Sequence, residues 1–265
     1  MGGVKLITLH FLRRGNKMSL LIINADDFGY STGVNYGIIH SYQQGILTST
    51  TMITTMPGFE EGVKLAEENP GLGIGVHLSL TCGKPLREDV PSLIQSNGQF
   101  HQLSFYEEDF KIDLDELYKE WKEQIERVVK REIKPTHLDS HHHVNSLSPI
   151  TEVFIQLAKE YDLPVRNNFD VPTDILTTKR FNTSFDLIGM KKEIWKPMEL
   201  KNIVQECQMF GEVEAMCHPG YVDQVLLANS SLRDSRAVTV AELSRSDYAN
   251  ILKENDIQLG TYSDL

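Results

Sequence analysis

Hydrophobic and polar positions along this chain switch repeatedly between a period of two and a period near 3.6, and the switching predicts its elements. Residues 19–24 form a short apolar run that reads as a strand. Val34, Ile38, Ile39 and Tyr42 then fall at helical spacing, with Gly45 placed to stop the helix. The β-branched run 46–53 predicts a second strand. Phe59, Val63 and Ala66 predict a second helix, halted by Asn69-Pro70-Gly71. Residues 73–80 alternate sharply: Ile74, Val76, Leu78 and Leu80 share one face, and Gly73, Gly75, His77 and Ser79 the other.

A long helix carrying Leu114, Leu117, Trp121, Ile125 and Val128 precedes a strand that opens at Pro135. Ser148-Pro149 leads into a helix with Ile150, Val153, Phe154 and Leu157 on its apolar face. Val165 and residues 213–217 read as further strands, and residues 257–259 as a closing one. Thr239-Val240-Ala241-Glu242 has the form of a capping box. Residues 168–200 and 220–237 fit no regular period and are expected to loop over a pocket.

Strand and helix alternating in this way predict an α/β fold with a mostly parallel sheet. The first strand is followed by Ala25-Asp26-Asp27-Phe28-Gly29 and not by the Gly-rich turn of a dinucleotide fold. A doubly wound sheet and a closed barrel compete, and the missing turn favours a single-domain distorted (β/α) barrel with fewer than eight regular units. No repeat, low-complexity tract or Gly/Ser linker divides residues 18–265. Residues 1–17 read as an extension without chemistry, because Arg13-Arg14 follow the apolar stretch where a secretory signal has its basic residues first.

Composition narrows the choice of partners. Acidic residues outnumber basic ones 37 to 26, a net charge of −11 that repels nucleic acid. No apolar stretch approaches the roughly 20 residues that cross a bilayer. Three cysteines, Cys82, Cys207 and Cys217, are too few and too scattered for a disulfide framework or a thiolate zinc site. They read as reduced thiols in a cytoplasmic protein, and a homodimer is the default assembly.

Four polar clusters fall at the expected C-terminal ends of strands, where parallel α/β barrels build their sites. Asp26-Asp27 puts two carboxylates beside a buried strand, a costly arrangement unless a cation compensates it. The bland role is a solvated turn with one Asp capping the next helix. His77 stands on the small-residue face of its strand, where glycines leave room for a ligand or a close backbone. Residues 137–143 hold four of the nine histidines and Asp139. On a strand, His137 and His141 are about 13 Å apart, too far to share one ion. One histidine of the cluster is thus expected to bind directly, with Asp139 or a neighbouring histidine orienting a ligand ring. Cys217-His218-Pro219-Gly220 puts His218 on a sharp turn at the rim. One Asp and two His with open positions make the ligand economy of a hydrolytic metal site, with a second carboxylate as base and a histidine as acid.

Residues 21–29 (with Asn24-Ala25-Asp26-Asp27-Phe28-Gly29), Gly73-Ile74-Gly75-Val76-His77-Leu78, residues 134–143 and Met216-Cys217-His218-Pro219-Gly220 together resemble the YdjC-like carbohydrate deacetylases, the family of chitin disaccharide deacetylase. The resemblance keeps the same order from Met18 to Leu259-Gly260-Thr261-Tyr262. It implies a barrel related to the polysaccharide deacetylases and removal of acetate from N-acetylglucosamine units of small chitooligosaccharides. By motif position it implies that Asp27, His77 and His141 hold one divalent ion, Mg2+ or Zn2+. Asp26 would be the general base and His218 the general acid. Asp139, Arg166 and His143 would support the ligands or touch substrate. The helical histidine pair of the zinc deacetylases is missing, while two imidazoles favour zinc on ligand softness.

Two other functions compete. A non-catalytic sugar-binding regulator on the same scaffold has no use for Asp26 and His218 around an ion. A phosphoesterase needs cations near the site, and the motif segments carry only Lys134; Arg166, at the end of another strand, is the one basic candidate for orienting a carboxylate, with a surface cation as its ordinary role. Phe28, Tyr30, Tyr221 and Trp195 are candidates for stacking on pyranose faces, although packing is the commoner role.

Overall fold

The structure is a computed structural model that describes residues 18–185 and 200–265. The expected 1–17 extension and Trp195 lie outside the described residues. Seven parallel strands form one sheet: β1 (Ser19–Phe28), β2 (Ser49–Met52), β3 (Gly73–Leu78), β4 (Leu138–Ser140), β5 (Arg180–Asn182), β6 (Glu212–Cys217) and β7 (Ile257–Leu259). Their order is β4-β3-β2-β1-β6-β5, with β7 on the first half of β1 and β2 on its second half. Apolar runs such as Leu21-Ile22-Ile23 are wholly buried because a parallel sheet is covered on both faces.

The sheet curls towards a barrel. Beyond the β4 edge, single bridges link Leu138 to Val165 and Val165 to Thr177, in the segment that leads into β5. Val165, expected as a strand, contributes only these bridges. Helices pack around the outside: α1 (Thr32–Gln44), α2 (Phe59–Glu68), α3 (Leu103–Tyr106), α4 (Leu114–Val129), α5 (Ile150–Glu160), α6 (Lys201–Phe210), α7 (Gln224–Asn229), α8 (Asp234–Leu243) and α9 (Tyr248–Glu254). Ser31 caps α1 by accepting from the Val34 N–H, and Asp113 caps α4 by accepting from the Asp115 and Glu116 N–H groups. The periodic Leu117, Trp121, Ile125 and Val128 of α4 are fully buried, as their spacing predicts.

Three expectations need correction. β1 runs on to Phe28, so Asp26 and Asp27 belong to the strand and not to a turn after it. Residues 168–200 and 220–237 are not continuous loop: the first contains β5, and the second α7 and the start of α8. The Thr239–Glu242 pattern is no cap, because α8 already begins at Asp234. Thr239 sits in its interior and its hydroxyl donates back to the Ser235 carbonyl at 2.9 Å.

Candidate metal centre

A strand sends successive side chains to opposite faces, so adjacent Asp26 and Asp27 ought to diverge. They converge because β1 bulges. Ala25 pairs with Thr50 and Phe28 with Met52, three residues of advance on β1 against two on β2. Asp27 takes up the difference with a left-handed φ of 74°. Such backbone is costly for a non-glycine residue and clusters at functional sites.

Around Asp27 the other strand ends supply imidazoles. His141 Nδ1 lies 3.0 Å from Asp27 Oδ1, and His77 Nε2 lies 3.5 Å from the same atom. The ligand-capable atoms of these three residues all fall within 4.8 Å of one another. Asp27 Oδ1 is buried and receives no hydrogen bond. A buried carboxylate oxygen set beside two imidazole nitrogens fits a divalent cation, which all three residues would ligate.

His77 is oriented from behind. Register places it opposite Asp139 on β4, and its Nδ1 meets Asp139 Oδ1 at 2.7 Å. Thr51 Oγ1 donates to Asp139 Oδ2 at 3.1 Å. With the Nδ1 proton given to Asp139, Nε2 is turned towards Asp27. His141 begins a 3₁₀ turn, His141–Ser146, in which His142 and His143 are both left-handed at φ 56°. His142 is exposed and meets Thr81 Oγ1 through Nδ1 at 2.9 Å. His143 packs edge-on against Phe181, ring centroids 5.7 Å apart, and is not one of the three residues grouped around Asp27. His137 is separate from the centre. It stacks on Tyr262 with ring centroids 3.8 Å apart, and burial pushes its pKa down to about 3. A Cβ on Gly75 would meet the His137 ring at 2.6 Å. The space left by the β3 glycine therefore holds a protein side chain and not a ligand.

Arg166, expected as a surface cation if it had no task, is fully buried. Its Nη1 and Nη2 grip Asp26 Oδ2 and Oδ1 at 2.8 and 2.6 Å, Nη2 also reaches Asp139 Oδ2 at 2.8 Å, and Nε donates to Glu214 Oε1 at 2.9 Å. Glu214 Oε2 in turn accepts from the Tyr262 hydroxyl at 2.5 Å. Burial works to raise the Asp26 pKa, but the Arg166 guanidinium overrides it and holds the carboxyl well below its usual range. Asp139 is likewise lowered: burial opposes, and Arg166 and His77 prevail. Glu214 goes the other way, its burial outweighing Arg166 and Tyr262.

His218, just past β6, is one-fifth exposed, with Nε2 3.9 Å from Asp26 Oδ2. Asp27 carries a second buried contact that the sequence did not signal. Arg236 on α8 donates Nη2 to Asp27 Oδ2 at 2.5 Å. Burial pushes Asp27 up, while His141 and Arg236 hold its carboxyl well below the usual range. Phe28 and Tyr30 are core residues and present no stacking face, whereas Tyr221 is 38% exposed and meets His40 Nδ1 through its hydroxyl. Glu214 and Tyr262 were also missed as members of the site. Glu214 is an acidic residue inside the buried stretch 213–217 of its strand, which was a usable signal.

Residues 20–257 match the model of the YdjC-like protein family. A carbohydrate deacetylase from Halalkalibacterium halodurans is 41% identical over 85% of this chain and 95% of its own length. One from Brevibacillus brevis is 38% identical over 92% of this chain and 99% of its own. A crystal structure from Enterococcus faecalis, provisionally described as a cellobiose-phosphate cleavage protein, is 35% identical and superposes with a TM-score of 0.82. It covers 94% of this chain and 99% of its own.

Proposed function

The chain belongs to the YdjC-like family, and from that premise we propose that it is a metal-dependent carbohydrate deacetylase acting on small chitooligosaccharides. The observation that carries the reading is the convergence of Asp27, His77 and His141 on one donor-free carboxylate oxygen, with Asp26 and His218 beside it. Asp27, His77 and His141 would hold one Mg2+ or Zn2+ ion. When bound, such an ion polarises an amide carbonyl and lowers the pKa of a nearby water.

Asp26 is the general base. The Arg166 clamp keeps it ionised and fixed in direction, so it accepts the proton of the attacking water without reorganising. His218 is the general acid, exposed enough to meet a departing nitrogen and give it a proton. The water oxygen adds to the acetyl carbon, the C–N bond breaks, and acetate and a free amino sugar leave. Asp139 fixes the His77 ring, and His143 lines the sugar side of the site near Phe181. Phosphate-ester cleavage is disfavoured, because all three Arg166 nitrogens are engaged with carboxylates and offer no free fork to a phosphate.

The remaining assignments rest on general chemistry. Three free thiols suit a reducing cytoplasm, and no helix among the described residues is long and apolar enough to cross a membrane. A homodimer is the simplest assembly. Residues 1–17 take no part in the chemistry. Acetate release from diacetylchitobiose, paired with elemental analysis of the protein, tests the function. Release that stops with chelator supports it, and metal-replete protein that liberates no acetate from any acetylated mono- or disaccharide overturns it.

A further inference from the structure

Arg236 contacts the metal-site carboxylate from the side opposite the histidines. Its Nη2 holds Asp27 Oδ2 at 2.5 Å, both side chains are buried, and Oδ1 is left without a donor. The guanidinium is itself fixed: Nε donates to the Leu232 carbonyl at 3.1 Å. The Arg236 carbonyl accepts from the Gly220 N–H at 3.2 Å, and a Cβ on Gly220 would lie 3.2 Å from Arg236 Cδ. Arg236 is thus wedged between the carboxylate and the turn that carries His218.

From this arrangement we infer that Arg236 is a positioning residue that confines Asp27 to one-oxygen ligation and cancels its charge, trading metal affinity for a more electrophilic ion. The inference rests on the metal-site reading above. Asp27 and Arg236 form a neutral pair, and His77 and His141 contribute neutral rings. With Arg236 paired to Asp27, an ion held by this set keeps more of its positive charge than an unpaired carboxylate would leave it, which weakens its retention and strengthens its pull on a bound carbonyl. A purely structural arginine, needed only to pair a buried acid, predicts the reverse sign: removing it would disorder Asp27 and loosen the ion.

The test uses the full chain stripped by chelator and titrated with Zn2+ against a chromophoric chelator. Arg236→Gln keeps a donor for Oδ2 and deletes the charge, so it should bind Zn2+ about tenfold more tightly or better. Arg236→Lys keeps the charge and should stay within about threefold of the parent. Folded Arg236→Gln protein with equal or weaker Zn2+ affinity overturns the inference, as does Arg236→Lys tightening as much as Arg236→Gln. Should the Gln variant not fold, a crystal structure of the Zn2+-loaded parent decides. Asp27 bound through Oδ1 alone, with Oδ2 still on Arg236, supports it, and both oxygens on the ion refute it. A parent that binds no Zn2+ defeats the metal-site reading itself, which the other outcomes leave standing.

Discussion

Asp26 and Asp27 are neighbours in the chain, yet a different arginine holds each carboxylate: Arg166 takes both oxygens of Asp26, and Arg236 takes one oxygen of Asp27. The asymmetry separates their chemistry. Asp26 is oriented by a fork that leaves Oδ2 a free lone pair, and it faces His218, whereas Asp27 turns Oδ1 towards His77 and His141. The bulge in β1 and the left-handed backbone at Asp27 make the separation possible.

Substitution should therefore divide the two roles. Asp26→Asn is expected to retain metal near the parent level and to lose turnover by about 10²–10⁴-fold, the usual contribution of a general base. Asp27→Asn should lose both metal and turnover. Metal content by elemental analysis, read beside acetate release, makes the comparison. An Asp26→Asn enzyme with undiminished rate would remove Asp26 from the reaction.

Asp139 contacts the His77 ring at Nδ1 and would act on a bound ion through it. Replacing it with Asn keeps the size and removes the charge that aligns Nδ1. Metal affinity should fall by about 10–100-fold, the range for lost support of a ligating histidine. Competition with a metal indicator gives the number directly, and an unchanged dissociation constant would show that strand register alone fixes the ring.

Much of the barrel was legible because its cause is local. Continuous apolar runs marked the buried parallel strands, and the 3.6-residue spacing of Leu117, Trp121, Ile125 and Val128 marked α4. The acidic end of β1 was not legible in the same way. A strand that continues through two aspartates makes sense only with cations to pair them, and those cations lie 140 and 209 residues further on. Thr239–Glu242 shows the opposite failure, a correct local motif overruled by a helix that had already started at Asp234. The histidine run was expected to keep His137 and His141 too far apart to share one ion, and only His141 is grouped with Asp27 and His77. What separates them in the fold is the Gly75 gap and the Tyr262 ring, both set by tertiary packing.

Arg166 should be the most sensitive single position for stability. It is fully buried and serves Asp26, Asp139 and Glu214 together. Arg166→Met would leave three carboxylates around an uncharged side chain, and breaking a buried ion pair costs about 3–5 kcal/mol. Urea denaturation of parent and variant is expected to show a loss of that size. A loss below about 1 kcal/mol would mean that the carboxylates find other partners or take up protons without penalty.

In chelator-treated protein, stability should fall as pH rises through the range where His77 gives up its proton. Burial by itself would lower the His77 pKa, but Asp139 at 2.7 Å, with Asp26 and Asp27 nearby, lifts it to about 9. A folded-state pKa above the unfolded value of about 6.5 means that protonation favours the folded chain. That stabilisation is complete below about pH 6.5 and disappears as pH climbs through about 9. At about 1.4 kcal/mol per pKa unit it amounts to about 3 kcal/mol. Metal binding runs the other way, because ligation requires Nε2 without its proton, so affinity should increase with pH over the same window. Denaturation midpoints taken between about pH 6 and pH 10, with chelator and with metal, should therefore diverge. A chelated protein whose midpoint stays level across that window would show that the charged His77–Asp139 pair contributes nothing to folding, and that the ring is already neutral before any ion arrives.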